Sequence, residues 1–137
     1  MSNSDVDAIS SDNAPRNPPT PKYTLVTNDA KFSLGQVVAT PGALALMERT
    51  DTNPAVLLNK HIHGDWGDTC AEDCALNEQA LTDGSRLMSV YRLVSPQDLA
   101  ATAIEKRALL PTVWIITEAV GNDGRRASTC LLLPQEY

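Results

Sequence analysis

Aromatic residues are scarce. The chain has one Phe, two Trp and three Tyr among 137 residues, so Leu, Val, Ile and Ala must fill most of its core. The three cysteines, Cys70, Cys74 and Cys130, are too few and too odd in number for a disulfide framework. No run approaches the roughly 18 apolar residues of a membrane span. No charged opening followed by an apolar stretch marks a secretory signal, so a soluble cytoplasmic protein is the expectation. Cationic stretches are also missing: Arg125-Arg126 is the densest basic pair, and no basic, aromatic-studded surface points to nucleic acid. No glycine-rich phosphate cradle is present.

What the chain does have is acid, and in one place. The formal net charge is -6. Asp65, Asp68, Glu72, Asp73, Glu78 and Asp83 follow one another with no Lys or Arg between them, and alone account for that charge. Such a patch disfavours a phosphate backbone as partner and suits a basic protein surface or a solvated face.

Composition divides the chain in two. Residues 1–29 read as a disordered tail, rich in Ser, Asp, Asn and Pro and too poor in large aliphatics to offset chain entropy. Within it Asn17-Pro18-Pro19-Thr20 matches the start of the amino-methyltransferase tetrapeptide. The aromatic that stacks on a flipped base is replaced by Thr20, and chance composition explains the match. Residues 30–137 form one domain.

That domain reads as short helices followed by a sheet. Leu34 to Ala39 suits a short strand. Thr40-Pro41 and Asn53-Pro54 each supply an N-cap and a proline at the first helical position. Ala43, Leu44 and Met47 make the first apolar stripe; Leu57, Leu58, His61 and Ile62 make the second, and Gly64 stops that helix. Thr69-Cys70-Ala71-Glu72 has the pattern of a capping box, opening a third helix with Ala71, Cys74, Ala75 and Leu81 inward and Asp83-Gly84 at its end. The period then changes to two over Arg86 to Val94. A β-rich run follows over Thr112 to Glu118, then the Gly121-Asn122-Asp123-Gly124 turn and Ser128 to Leu133. Ser95 caps an Ala-rich helix, Gln97 to Arg107, between the first two of these strands. The expected class is α+β: short N-terminal helices, then a three-stranded antiparallel sheet with helices on one face and one inserted helix.

Four blocks carry a family resemblance. They are Phe32-Ser33-Leu34-Gly35-Gln36-Val37-Val38-Ala39-Thr40-Pro41-Gly42-Ala43-Leu44; His61 with Gly64-Asp65-Trp66-Gly67-Asp68; Val113 to Glu118; and Leu132-Leu133-Pro134-Gln135-Glu136-Tyr137. Over about residues 32 to 137 the chain resembles a family of small plasmid-related proteins of unknown function. These are encoded on bacterial plasmids and integrated elements, and sometimes labelled type I restriction subunit M. The cofactor loop and intact tetrapeptide that the restriction label implies are absent from this chain. The family pattern has a counterpart to His61 but none to His63, Cys70 or Cys74. It joins the first two C-terminal strands by a short turn where this chain carries Ser95 to Pro111.

The candidate site is His61, Asp65, Trp66 and Asp68. A metal reading takes His61-x-His63-x-Asp65 with Cys70 and Cys74 as added thiolates, but the second His of a binuclear metallohydrolase signature is missing and His61 lies on an apolar helix face. For a cysteine–histidine dyad, Cys70 and Cys74 are more economically read as small residues at a helix start or on its inner face, and Ser/His/Asp partners have no diagnostic spacing. No cofactor, metal or catalytic residue is therefore assigned. Two accounts of Gly64 to Asp68 stand. In one, the glycines reverse the chain, Trp66 plugs the core, Asp65 bonds turn amides and Asp68 favours the positive end of the third helix. In the other, Trp66 anchors a protein partner with the acids as rim. The expected function is that of a non-enzymatic accessory protein of a mobile element, acting by protein binding. The alternatives are a small hydrolase, possibly metal-dependent, using His61 with Asp65 and Asp68, or an acidic mimic of nucleic acid. Partner identity and oligomeric state stay open.

Overall fold

The structure is a computed structural model that describes residues 29–137. The expected disordered tail, apart from Asp29, and the tetrapeptide within it lie outside the described residues.

The expected α+β class holds, with a four-stranded mixed sheet rather than three antiparallel strands. Strands β1 (Gln36–Ala39), β2 (Leu87–Arg92), β3 (Thr112–Thr117) and β4 (Ser128–Leu132) lie in the order β1-β4-β3-β2. The last three form the expected antiparallel meander, with Ile115 opposite both Ser89 and Leu131. β1 adds to it in parallel, Val38 opposite Cys130. The free edge of β4 is what β1 covers, a pairing across some ninety residues that no local pattern reports. Gly35 makes the junction possible. It sits at φ +64, and a Cβ there would fall 2.4 Å from the Arg126 carbonyl oxygen.

Two helices cover one face of the sheet. α1 (Pro41–Arg49) and α2 (Pro54–Ile62) are capped as expected, Thr40 and Asn53 accepting from the Ala43 and Ala55 amides. They pack Ala43, Met47, Leu57 and Leu58 on Tyr91, Val113, Ile115 and Leu131, the larger core. Leu44, expected in the α1 stripe, is half exposed; the inward position next to Met47 goes to Leu46.

α3 (Ala71–Asp83) differs from expectation at both its start and its face. No capping box forms: Cys70 is the N-cap without a side-chain bond, and the Thr69 hydroxyl donates instead to the Trp66 carbonyl at 2.6 Å. The inner face is Asn77 and Ala80, with Cys74 and Leu81 beside them, while Ala71 and Ala75 face water. The reason is Asn77. Its amide donates to Met88 C=O (2.7 Å) and accepts from Met88 N–H (3.1 Å), so α3 lies along the outer edge of β2 and closes it with a side chain. Gly84 ends the helix at φ +82, as expected. Trp66, Ala80 and Leu87, with Phe32, Cys74 and Leu81, form a second, smaller core.

The insert is not one helix. α4 spans only Pro96–Ala101, and a 3₁₀ segment follows over Ile104–Leu109. Neither buries a residue, so nothing in the core supports a longer α-helix. The Gly121–Gly124 turn forms as expected, Gly121 N–H reaching Arg125 C=O at 2.8 Å. Among the described residues no helix is long and apolar enough to cross a membrane.

Candidate functional site

The end of α2 delivers His61 into the sheet. Leu57, Leu58, His61 and Ile62 are all buried, and the ring of His61, with no exposed surface, reaches two strands. Nδ1 lies 2.6 Å from Ser89 Oγ and Nε2 lies 2.9 Å from Thr117 Oγ1. Thr117 Oγ1 is 2.7 Å from Thr129 Oγ1, and Thr129 donates to Leu34 C=O at 2.7 Å. Each hydroxyl has one proton, which sets the direction of the chain. Thr129 gives its proton to Leu34, so the Thr117–Thr129 bond uses the proton of Thr117. Thr117 then accepts from His61, whose proton sits on Nε2. Nδ1 is left as an acceptor for Ser89 O–H. The cluster is satisfied with a neutral imidazole, and only with one tautomer.

Burial, and secondarily the charge of Arg126, pushes the His61 pKa down to about 3. Phe32 stands edge-on to the imidazole at 5.0 Å, and Trp66 at 5.8 Å; the two aromatic rings stack at 6.2 Å. The Arg126 guanidinium lies over the Phe32 ring, 5.8 Å from its centroid. It is itself buried, and donates to the carbonyls of Ser85, Glu118 and Ala80.

The Gly64–Asp68 corner follows. Gly64, at φ +83, lets the chain leave α2. Trp66 is 5% exposed, which places it among core residues, and its indole N–H donates to Glu78 at 2.9 Å. Asp65 is exposed; its carboxylate accepts from Gly67 N–H at 3.2 Å, while its backbone carbonyl takes the buried Tyr91 hydroxyl at 2.6 Å. Val90 N–H donates to Trp66 C=O and Asp68 N–H to Val90 C=O, so the corner pairs with β2 beside Asn77. Gly67 is indispensable to that contact. It has φ +72, and a Cβ would lie 2.1 Å from the Val90 carbonyl oxygen. The Asp68 carboxylate bridges two guanidinium groups, Arg92 and Arg107, each at 2.9 Å. It thereby ties the insert to the corner and to β2.

The four predicted residues are thus neighbours in the fold without forming one reactive centre. His61 and Trp66 touch. Asp65 and Asp68 bond to turn amide and guanidinium groups, and the imidazole is held by hydroxyls. Ser89 and His61 are close enough for a nucleophile–base pair, but both are wholly buried and no carboxylate orients the ring. His63 donates to the Asn59 carbonyl one turn back in its own helix. Cys70 and Cys74 are free thiols; burial, with Cys70, Asp73 and Glu78 after it, raises the Cys74 pKa. Among the described residues no group of three or more His, Cys, Asp or Glu side chains could hold a metal ion.

Several residues of this centre have weak signals in the sequence. Ser89, Thr117 and Thr129 occupy inward positions of period-two strands, in phase with Leu87, Tyr91, Ile115 and Leu131. Polar residues in that phase, with a histidine on an apolar helix face, are the trace of a buried network. Asn77 and Arg126 leave no such trace. Four stretches far apart in the sequence, 32–44, 61–68, 113–118 and 132–137, meet here and at the chain end. Phe32 packs on His61 and Trp66, Thr117 bonds His61, and Thr40 donates to Glu136 at 2.6 Å. No family model, curated protein or solved structure matches the chain.

Proposed function

We propose that the chain acts by binding a protein partner through the insert at 95–111, and not by catalysis. The observation that carries this is the pairing of exposure with rigidity there. Ile104 and Leu109 are 80% and 85% exposed, while Arg107 between them is held by Asp68 and by the Thr102 carbonyl. Two large aliphatics displayed on a fixed six-residue segment cost little ordering on association. On this reading Asp65, Trp66 and Asp68 build the support of the binding surface instead of forming it.

The resemblance to plasmid-related proteins supports a role as an accessory protein of a bacterial mobile element, working in the cytoplasm. The insert is where this chain departs from that family, so its partner is its own. The hydrolase reading has less support, because the hydroxyls and not the acids surround His61. The nucleic-acid mimic also has less, because Asp68 is neutralised by two arginines and Glu78 is taken up by Trp66.

The test is affinity purification of the tagged chain from its bacterial host, beside an Ile104→Ser/Leu109→Ser variant. The expected result is a partner held by the parent and lost by the variant at an unchanged melting temperature. Equal recovery by both proteins, or none by either, would overturn the proposal.

A further inference from the structure

His61 stands at the seam between two cores. On one side is the large cluster of α1, α2 and the sheet; on the other is the small one of Trp66, Ala80 and Leu87 with Phe32. On the small side its ring meets Phe32 and Trp66. We propose that His61 is an acid latch: its protonation releases the small core, with Phe32, the Gly64–Asp68 corner and α3, while the large core stays folded.

The geometry supplies the reason. In the closed state Nδ1 is an acceptor and the hydrogen-bond chain runs one way, from Ser89 to Leu34. A protonated ring has two donors and no acceptor. Ser89 must then give up its bond to the ring and turn its own proton away. Among the described residues the charge also has no counter-ion. β2 presents Ser89 and the Tyr91 phenol, β3 presents Thr117, and β4 reaches the ring through Thr129. The hairpin contributes Arg126, which is a like charge and is drawn in turn toward Asp83. Phe32 and Trp66 offer ring edges and faces, and Glu78 is committed to the far edge of Trp66. Lys31 and Lys60 are the cations nearest in sequence to Phe32 and His61. The proton therefore enters from solvent, at Nδ1, once the small core has opened.

Opening of this side breaks few contacts in the large core. Phe32 is held by rings, by Lys31 N–H on Ile62 C=O at 2.8 Å and by the Thr129 bond to Leu34. This side's ties to the large core are Leu34, which packs against that core, and the Tyr91 hydroxyl on the Asp65 carbonyl. An opened state with a histidine of ordinary pKa, near 6.5, gains about tenfold in population per pH unit below that value. Between pH 7 and 4.5 the gain is about 100-fold.

Amide hydrogen exchange of the full chain tests this, with rates normalised to intrinsic chemistry at each pH. Residues 29–35 and 64–85 should open about tenfold more readily per pH unit below 6.5, while β3 and β4 keep their protection. With Trp114→Phe, Trp66 is the remaining tryptophan, and its emission should shift to the red over the same range. A His61→Leu/Ser89→Ala/Thr117→Val variant replaces the polar chain by apolar groups and should lose both responses. Should that variant not fold, the imidazole resonances of the parent decide. Opening of all segments at one pH, an unchanged response in the folded variant, or a native His61 titrating near 6.5 would each overturn the latch.

Discussion

Trp66→Ala separates the two accounts of the Gly64–Asp68 corner. The side chain is 5% exposed, stacks on Phe32, meets His61 edge-on and donates to Glu78. Truncating a buried aromatic of this size costs about 3–5 kcal/mol. The lost indole bond adds little, since Glu78 is exposed and rehydrates. A further cost is specific to this site: the cavity adjoins His61, so water entering it loosens the polar chain as well. Against the roughly 5–15 kcal/mol that stabilises a typical domain this is a large share, and for a domain near a hundred residues it lowers the melting temperature by about 15–25 °C. Urea unfolding followed by far-UV circular dichroism measures it, with Trp114 emission as a second probe. Trp66→Phe should fall between the two, because it keeps the ring stack and loses the N–H. Asp65→Asn should cost under about 1 kcal/mol, since Tyr91 holds the backbone carbonyl and not the carboxylate. A Trp66→Ala protein with the parent's urea midpoint but no partner binding would refute the plug and restore Trp66 as an exposed anchor.

Acid should weaken the whole fold through the same histidine. The folded-state pKa of about 3 lies below the unfolded value near 6.5, so the unfolded chain takes the proton first. The stability is fully present above about pH 6.5 and falls by about 1.4 kcal/mol per unit toward pH 3; denaturant midpoints of the parent, set against the apolar triple variant, read the difference, and equal slopes would contradict it. Gly67→Ala should cost more than about 3 kcal/mol or abolish folding, because the added carbon meets the Val90 carbonyl. Gly124→Ala, at φ +78 but with nothing within 4 Å, should cost only about 1–2 kcal/mol; thermal melts rank the two. Asp68→Asn removes a charge shared by two partly buried arginines. It should cost about 1–2 kcal/mol and raise amide exchange across 95–111, and a protected insert in that variant would show that Asp68 does not hold it.

The sequence by itself determined whatever depends on neighbours along the chain. Thr40-Pro41 and Asn53-Pro54 are helix starts because cap and proline act within four residues. Gly64, Gly84 and the Gly121–Gly124 turn stop or reverse the backbone for equally local reasons, and alternation from Leu87 onward marks a strand. The placing of His61 on a buried helix face is legible in the same way. The tertiary structure decided the rest. β1 joins β4 because an open edge some ninety residues away accepts it. Thr69 turns from capping α3 to the Trp66 carbonyl because the corner is drawn in to pair with Val90. The acids also came out differently: Asp68 lies in a stretch of acids with no Lys or Arg among them, yet its carboxylate faces Arg92 and Arg107, which only folding brings near. His61 shows the division within one residue. Its helical position put it inside, but Ser89, Thr117 and Thr129, from three strands, made the inside a place where a neutral imidazole is satisfied and a charged one is not. Local spacing carries the geometry of a turn or a helix face; which polar groups meet across the core depends on non-local pairing.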